Sequence, residues 1–70
     1  MELRLLVALK DWTTLNRVLN MLTEDDVNTM LEHELATKKR RTILRRLHER
    51  YGILRSKREW AEIESILAGE

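Results

Sequence analysis

Residues 38–58 read KKRRTILRRLHERYGILRSKR, and the rest of the fold has to be organised around this stretch. It holds ten of the thirteen Lys and Arg residues and a single acid, Glu49, which gives it a formal charge of +9. It also carries an apolar stripe at helical spacing, formed by Ile43, Leu44, Leu47, Tyr51 and Leu54. One helix must therefore pack against the protein on one side and expose arginines on the other.

The composition of the 70 residues indicates an all-α protein. Strong helix formers such as Leu, Glu, Arg and Lys are frequent, while the chain has no Pro and only Gly52 and Gly69. No segment shows the alternation of apolar and polar residues that is typical of strands. We therefore predict a single domain over residues 1–70, a small helical bundle or hairpin with a long basic C-terminal helix.

The small size of the chain predicts a dimer. A domain of this length buries only about 60% of the surface that its unfolded chain exposes, so a lone core is marginal. The chain has no Cys, which excludes disulfides and thiolate metal sites and fits a reducing compartment. Its longest apolar run, residues 5–9, is far shorter than the roughly 20 residues that span a bilayer. We expect a cytoplasmic homodimer without membrane association.

Residues 1–36 predict three short helices before the basic one. Asp11 and Thr23 are suited to cap the second and third helices, and Asp26 can complete a capping box with Thr23. The apolar segment 3–9 is expected to be buried nearly all round. In the third helix, residues 24–36, the side chains expected to face inward are Val27, Met30, Leu31 and Leu35.

The fourth helix is predicted to begin near Lys38 and to continue through Gly52 to Leu67, because one Gly costs a helix only about 1 kcal/mol. Beyond Leu54 the apolar residues form a second face, which consists of Ile53, Trp60, Ile63 and Leu67. A kink at Gly52 is the alternative explanation of this change of face. We favour a continuous helix that places its second face against another subunit, with Trp60 as a packing anchor or as the centre of that interface.

Six basic residues are the candidate partner-binding site: Lys38, Lys39, Arg41, Arg45, Arg46 and Arg50. Cations at a helix N-terminus oppose the helix dipole by roughly 0.3–1 kcal/mol each, and like charges four residues apart cost a few tenths more. Anions must relieve this placement, either from an external partner or from the chain's own acids Glu24, Asp25, Asp26, Glu32 and Glu34. Arg40 and Arg58 point toward the apolar side, so each is expected to need an acidic partner or to snorkel.

No other pattern in the sequence indicates chemistry. His33 lies between Glu32 and Glu34, but adjacent residues diverge on a helix and cannot converge on one metal. His48 and Glu49 lack a second His at the spacing that a zinc-binding helix requires. There is no Gly-rich phosphate loop, and no Ser or Thr has a base placed to activate it. We predict no catalytic site, no metal and no cofactor.

Three segments resemble small, mostly uncharacterised accessory proteins encoded by bacteriophages. They are residues 35–41 (LATKKRR), 46–51 (RLHERY) and 54–59 (LRSKRE), and the resemblance extends as a pattern over about residues 12–63. The resemblance implies action in the bacterial cytoplasm through binding and modulation of a host complex.

The leading hypothesis is a non-enzymatic interaction protein that docks its basic helix face onto an acidic surface of a host protein or nucleoprotein complex. Direct binding of DNA or RNA by the same six residues is the alternative. Few aromatic side chains are available to stack on bases, and residues 1–36, with three bases and seven acids, would repel a phosphate backbone. In a third hypothesis the protein is a structural assembly subunit whose charges only keep it in solution.

Overall fold

A computed structural model describes residues 1–69 and confirms the all-α prediction. The helices are α1 (Leu3–Ala8), α2 (Trp12–Val18), α3 (Glu24–Ala36) and α4 (Arg41–Ala68), and a 3₁₀ turn, Leu19–Met21, follows α2. No strand occurs in this part of the chain. The helices α3 and α4 form an antiparallel hairpin, and α1 and α2 complete the core beside it.

The starts of α2 and α3 are set by short-range hydrogen bonds, as the sequence predicts. The Asp11 carboxylate accepts from the Thr14 amide at 2.7 Å. The Thr23 hydroxyl accepts from the Asp26 amide at 3.1 Å, and the Asp26 carboxylate accepts from the Thr23 amide at 3.2 Å. Caps of this kind typically contribute about 1 kcal/mol each, so both helices have defined starting points.

The hydrophobic core covers only the first half of α4. Its buried members are Leu5, Ala8, Leu9, Leu15, Leu19, Leu22, Val27, Met30, Ile43 and Leu47. Tyr51 and Leu54 are partly buried and are the last residues of α4 that pack against this cluster. Every described residue from 55 to 69 is exposed.

Two predictions about burial are wrong. Segment 3–9 is not buried all round, because α1 has only six residues and Leu3, Leu6 and Val7 lie on its exposed side. Leu35 does not face inward either, and 55% of it is exposed. The last inward position of α3 is occupied by Glu34, and adjacent residues point about 100° apart on a helix.

The fourth helix begins at Arg41, which corrects the predicted start near Lys38. The Lys39 amide donates to the Glu34 carbonyl at 2.9 Å, in a turn that gives Lys39 a left-handed φ of 53°. Arg40 follows in an extended conformation. A left-handed conformation costs an L-residue roughly 1–2 kcal/mol, so tertiary contacts must hold this connector in place.

The helix α4 is continuous through Gly52, as predicted, and a Cβ built at Gly52 would meet nothing within 4 Å. Its 28 residues span about 42 Å, whereas the 13 residues of α3 span about 20 Å. The whole chain accordingly measures 47 × 19 × 19 Å. Residues 55–68 therefore project beyond the bundle, and we call them the overhang.

Candidate binding groove

An open groove lies between the end of α3 and the start of α4. Its floor is formed by the leucines Leu31, Leu35 and Leu44. Its rim is formed by the basic or titratable side chains Lys39, Arg41, Arg45 and His48. The groove has a volume of about 560 Å³ and is open to solvent. We call it the basic groove, and it contains three of the six predicted binding residues.

The other three predicted residues lie elsewhere. Lys38 is exposed in the connector between α3 and α4. Arg46 points about 100° away from Arg45 around the helix, and its Nε donates to the Asn16 side-chain oxygen of α2 at 2.9 Å. Arg50 lies one turn further along that side and is only partly exposed. The structure therefore splits the predicted site between two sides of α4.

The basic side chains differ in whether the chain neutralises them. Arg40, Arg55 and Arg58 bind carboxylates at 2.8, 2.8 and 3.0 Å, so Arg40 and Arg58 have acidic partners, the first of the two alternatives expected for them. Arg46 has a looser contact of 3.4 Å with Glu49. Within residues 1–69 no carboxylate lies within 4.0 Å of the charged groups of Lys38, Lys39, Arg41, Arg45 and Arg50.

Glu34 and Arg40 form the contact that fixes the connector beside the groove. The Glu34 side chain is 1% exposed, and its carboxylate accepts from the Arg40 amide at 3.0 Å and from Arg40 Nε and Nη2 at 2.8 Å each. Arg40 Nη2 also donates to the Leu9 carbonyl, at the end of α1, at 2.7 Å. The Arg40 guanidinium lowers the pKa of the Glu34 carboxyl although burial acts in the opposite direction. One ion pair thus joins α1, α3 and the start of α4.

The first turn of α4 leaves positive charge without an internal acceptor. It contains no acid, and no side chain caps it. Its amides therefore add the partial positive charge of a helix N-terminus to the charge of Lys39 and Arg41. Arg41 and Arg45 lie four residues apart, so they repel each other on the same side of the helix. The rim of the basic groove is electrostatically unfavourable in the chain taken by itself.

Sequence reasoning identified the charged rim but missed the apolar floor. The periodicity placed Leu31 and Leu35 in the core and grouped Leu44 with the inward stripe of α4. Leu35 is outside the core because Glu34 occupies the inward position of the helix. A periodicity argument expects a charged residue such as Glu34 to be exposed, so it assigns the inward position to Leu35 instead. With Glu34 at the inward position, Leu35 lies about 100° further around the helix, is exposed and lines the groove.

The overhang carries a second candidate surface. The apolar side chains Trp60, Ile63 and Leu67 of the overhang are exposed, and so is Ile53, which lies two residues before it. Arg58 Nε donates to the Glu24 carboxylate at 3.0 Å, and beyond Arg58 no hydrogen bond joins the described part of α4 to another helix. This face therefore lies outside the core of the chain.

Comparison with known proteins finds no matching family model, no matching curated protein and no matching solved structure. Among residues 1–69 no three His, Asp or Glu side chains are grouped in a way that could hold a metal ion. Over the same residues, no helix combines the length and the apolarity needed to cross a membrane. A functional interpretation has to be built from the chemistry of the basic groove and of the overhang.

Proposed function

We propose that the protein is a non-enzymatic interaction module that binds an acidic, Leu-containing segment of a partner protein in the basic groove. The observation that carries this proposal is the apolar floor of three leucines beside Lys39, Arg41 and Arg45, which have no carboxylate within 4.0 Å among residues 1–69. A floor of this kind suits aliphatic side chains, while the rim suits carboxylates. An amphipathic helix with acidic flanks offers both along one side.

The rim residues have distinct roles in such a complex. Arg41 and Arg45 can each bind a carboxylate through two parallel hydrogen bonds, which a Lys ammonium cannot do. The open N-terminus of α4 favours an anion close to Arg41. Lys39 adds charge at the end of the groove. Binding of a partner carboxylate would relieve the repulsion between Arg41 and Arg45.

Nucleic acid fits the basic groove less well. A phosphate backbone offers no aliphatic groups to a leucine floor, and no aromatic side chain lines the groove to stack on bases. Arg46 and Arg50 lie on the other side of α4, which leaves fewer cations to follow a backbone. We therefore favour an acidic protein as the partner. The binding experiment below distinguishes it from direct DNA or RNA binding.

The resemblance to bacteriophage accessory proteins suggests where such a partner occurs. Under that resemblance, the acidic segment belongs to a host protein or nucleoprotein complex in the bacterial cytoplasm. Docking of the basic groove would then modulate the activity of that complex.

A titration with defined probes tests the proposal. The probes are a short helical peptide with Leu on one face and Glu on its flanks, the same peptide with Gln in place of Glu, and single-stranded and duplex oligonucleotides. Measured by fluorescence anisotropy, the Leu/Glu peptide should bind at least about tenfold more tightly than the others, because only it satisfies both floor and rim.

Two variants with the same change of charge provide the control. Arg45→Glu should weaken peptide binding by about tenfold or more, whereas Arg17→Glu, exposed on α2, should leave it unchanged. Tighter oligonucleotide binding with a steep salt dependence would instead establish the nucleic-acid alternative. Absence of binding to every probe would overturn the proposal in favour of a structural subunit.

A further inference from the structure

The overhang of α4 has the residue spacing of a helix that pairs with another helix. Ile53, two residues before the overhang, and Trp60 and Leu67 within it recur every seven residues, and Ser56 and Ile63 follow the first two of them by three residues. This is the spacing of the a and d positions of a coiled coil. The four apolar side chains of the face are 46, 59, 43 and 59% exposed in chain order.

A second helix can reach this face without meeting the bundle. Ile63 follows Leu54 by nine residues, which places the two about 180° apart around the helix. Leu54 packs against the core, so the apolar face of the overhang points away from α3. The approach is therefore open from the solvent side.

The charges of the overhang indicate what the second helix is. Four of its six charged residues pair within the chain, since Arg55 binds Glu59 at 2.8 Å and Arg58 binds Glu62 at 3.1 Å. The remaining two have no ion-pair partner among residues 1–69, and they are Lys57 and Glu64. Both lie on one edge of the apolar face, about 10.5 Å apart along the helix axis, too far to pair with each other.

We propose that the overhang pairs in antiparallel orientation with the overhang of a second copy of the chain. The two-fold axis lies close to residue 61, so that Trp60 of each copy packs against Ile63 of the other. Lys57 then lies opposite Glu64 of the second copy, and symmetry repeats this pair. The two overhang charges that have no ion-pair partner among residues 1–69 neutralise each other across the interface, at the positions that face each other in antiparallel coiled coils.

The same residues disfavour a parallel pair. In a parallel coiled coil Glu64 would face Glu59 of the second copy, a like-charge contact that occurs twice. A parallel pair would also bring two segments of charge +9, residues 38–58, to one end of the dimer. In the antiparallel pair the two copies of Arg45 are about 50 Å apart along the helix axis.

The length of the overhang sets the affinity and the geometry of the dimer. Two overhangs overlap over about 21 Å, which gives an interface at the low end of the range of specific interfaces, below about 1,200 Å². We expect dissociation in the micromolar range. The dimer would present two basic grooves at opposite ends and could bind two acidic segments at once.

Sedimentation equilibrium of the full chain, from low micromolar to submillimolar concentration, tests for the dimer. Wild type should pass from monomer to dimer over this range. Trp60→Glu should remain a monomer throughout, with an unchanged circular dichroism spectrum at low concentration, because Trp60 is exposed and outside the core. A wild type that stays monomeric at every concentration would overturn the inference.

A charge exchange tests the orientation. Lys57→Glu and Glu64→Lys should each weaken dimerisation by about tenfold, because each converts two attractive contacts into repulsive ones, and the double variant should restore it. Ser65→Lys, which changes charge on the opposite side of the overhang, should leave dimerisation unchanged. Stronger dimerisation of Glu64→Lys with no effect of Lys57→Glu indicates a parallel pair and contradicts the proposal.

Discussion

The two halves of α4 leave different groups unsatisfied. In the first half, Arg41 to about Leu54, the bundle covers the apolar stripe, while Arg41 and Arg45 have no carboxylate within 4.0 Å among the described residues. In the overhang most charged residues form ion pairs within the helix, as Arg55 does with Glu59, while the apolar side chains are exposed to solvent. In the first half the apolar stripe is covered, but Arg41 and Arg45 lack an ion-pair partner among the described residues. In the overhang most charges are paired, but the apolar side chains are exposed.

This difference supports the kind of partner that we propose for each half. A helix segment surrounded by water needs internal charge pairs, and the overhang has them at spacings of four residues. In the first half of α4, Glu49 follows Arg45 at the same spacing but contacts Arg46 instead, at 3.4 Å. Neither Arg41 nor Arg45 has an ion-pair partner among residues 1–69. We therefore assign an anionic partner to the first half and an apolar helix, from a second copy, to the overhang.

Truncation of one apolar residue in each half should have very unequal effects on stability. Leu47→Ala should lower the free energy of unfolding by about 3 kcal/mol, because Leu47 is fully buried in the core. Ile63→Ala should lower it by less than about 0.5 kcal/mol at concentrations where the chain is monomeric, because Ile63 lies outside the core. Urea denaturation followed by circular dichroism measures both values.

A milder core variant keeps this comparison measurable if Leu47→Ala fails to fold. Ile43→Val, at a residue 4% exposed, should cost about 1 kcal/mol. Equal losses for Ile43→Val and Ile63→Val at low concentration would mean that the overhang packs within the monomer, and the contrast between the two halves would be wrong.

Removal of the charge on Glu34 should have the next largest effect. Glu34→Gln should cost about 2 kcal/mol at neutral pH, because the buried carboxylate accepts three hydrogen bonds from Arg40. Glu59→Gln, which breaks an exposed pair with Arg55, should have a much smaller effect, because an ion pair in contact with solvent contributes little. If Glu34→Gln lowered the free energy of unfolding no more than Glu59→Gln does, the structural role assigned to the Glu34–Arg40 ion pair would be wrong.

The same carboxylate predicts a dependence of stability on pH. The folded pKa of Glu34 lies below its ordinary value of 4.5, so its contribution is complete above that value and is lost as the pH falls through the folded pKa. Wild type should therefore lose stability below about pH 5, and Glu34→Gln should lose less over the same range. The pKa values of Asp11 and Asp26 are also lowered, so these two residues should contribute to the loss of stability at low pH in both proteins.

The features that the sequence predicts correctly depend on residues close together along the chain. The Asp11 cap and the capping box of Thr23 and Asp26 need only residues three positions apart. The continuity of α4 through Gly52 follows from the modest cost of a single Gly in a helix. Such features do not require knowledge of how the helices pack.

The features that the sequence does not predict depend on the packing of distant segments. The left-handed φ of Lys39 and the start of α4 at Arg41 accompany the contact of Arg40 with Glu34 and with the end of α1. Arg40 and Arg41 are identical neighbours in the sequence, yet one is held by a buried carboxylate and the other lines the groove. The sequence predicts that the segment has more cations than anions. Only the three-dimensional arrangement shows which of the cations lack an ion-pair partner among the described residues.

The most direct test of the role assigned to Arg41 and Arg45 is the stability of Arg41→Gln/Arg45→Gln, measured by urea denaturation beside Arg40→Gln. If the two rim arginines serve an external anion, their loss should leave the free energy of unfolding unchanged or raise it by up to about 1 kcal/mol. The reason is that it removes a like-charge pair and reduces cationic charge at the positive end of α4. Arg40→Gln should lose about 2 kcal/mol in the same buffer. A loss for the double variant as large as that for Arg40→Gln would show that the rim arginines serve the fold, and would contradict their assignment to a partner.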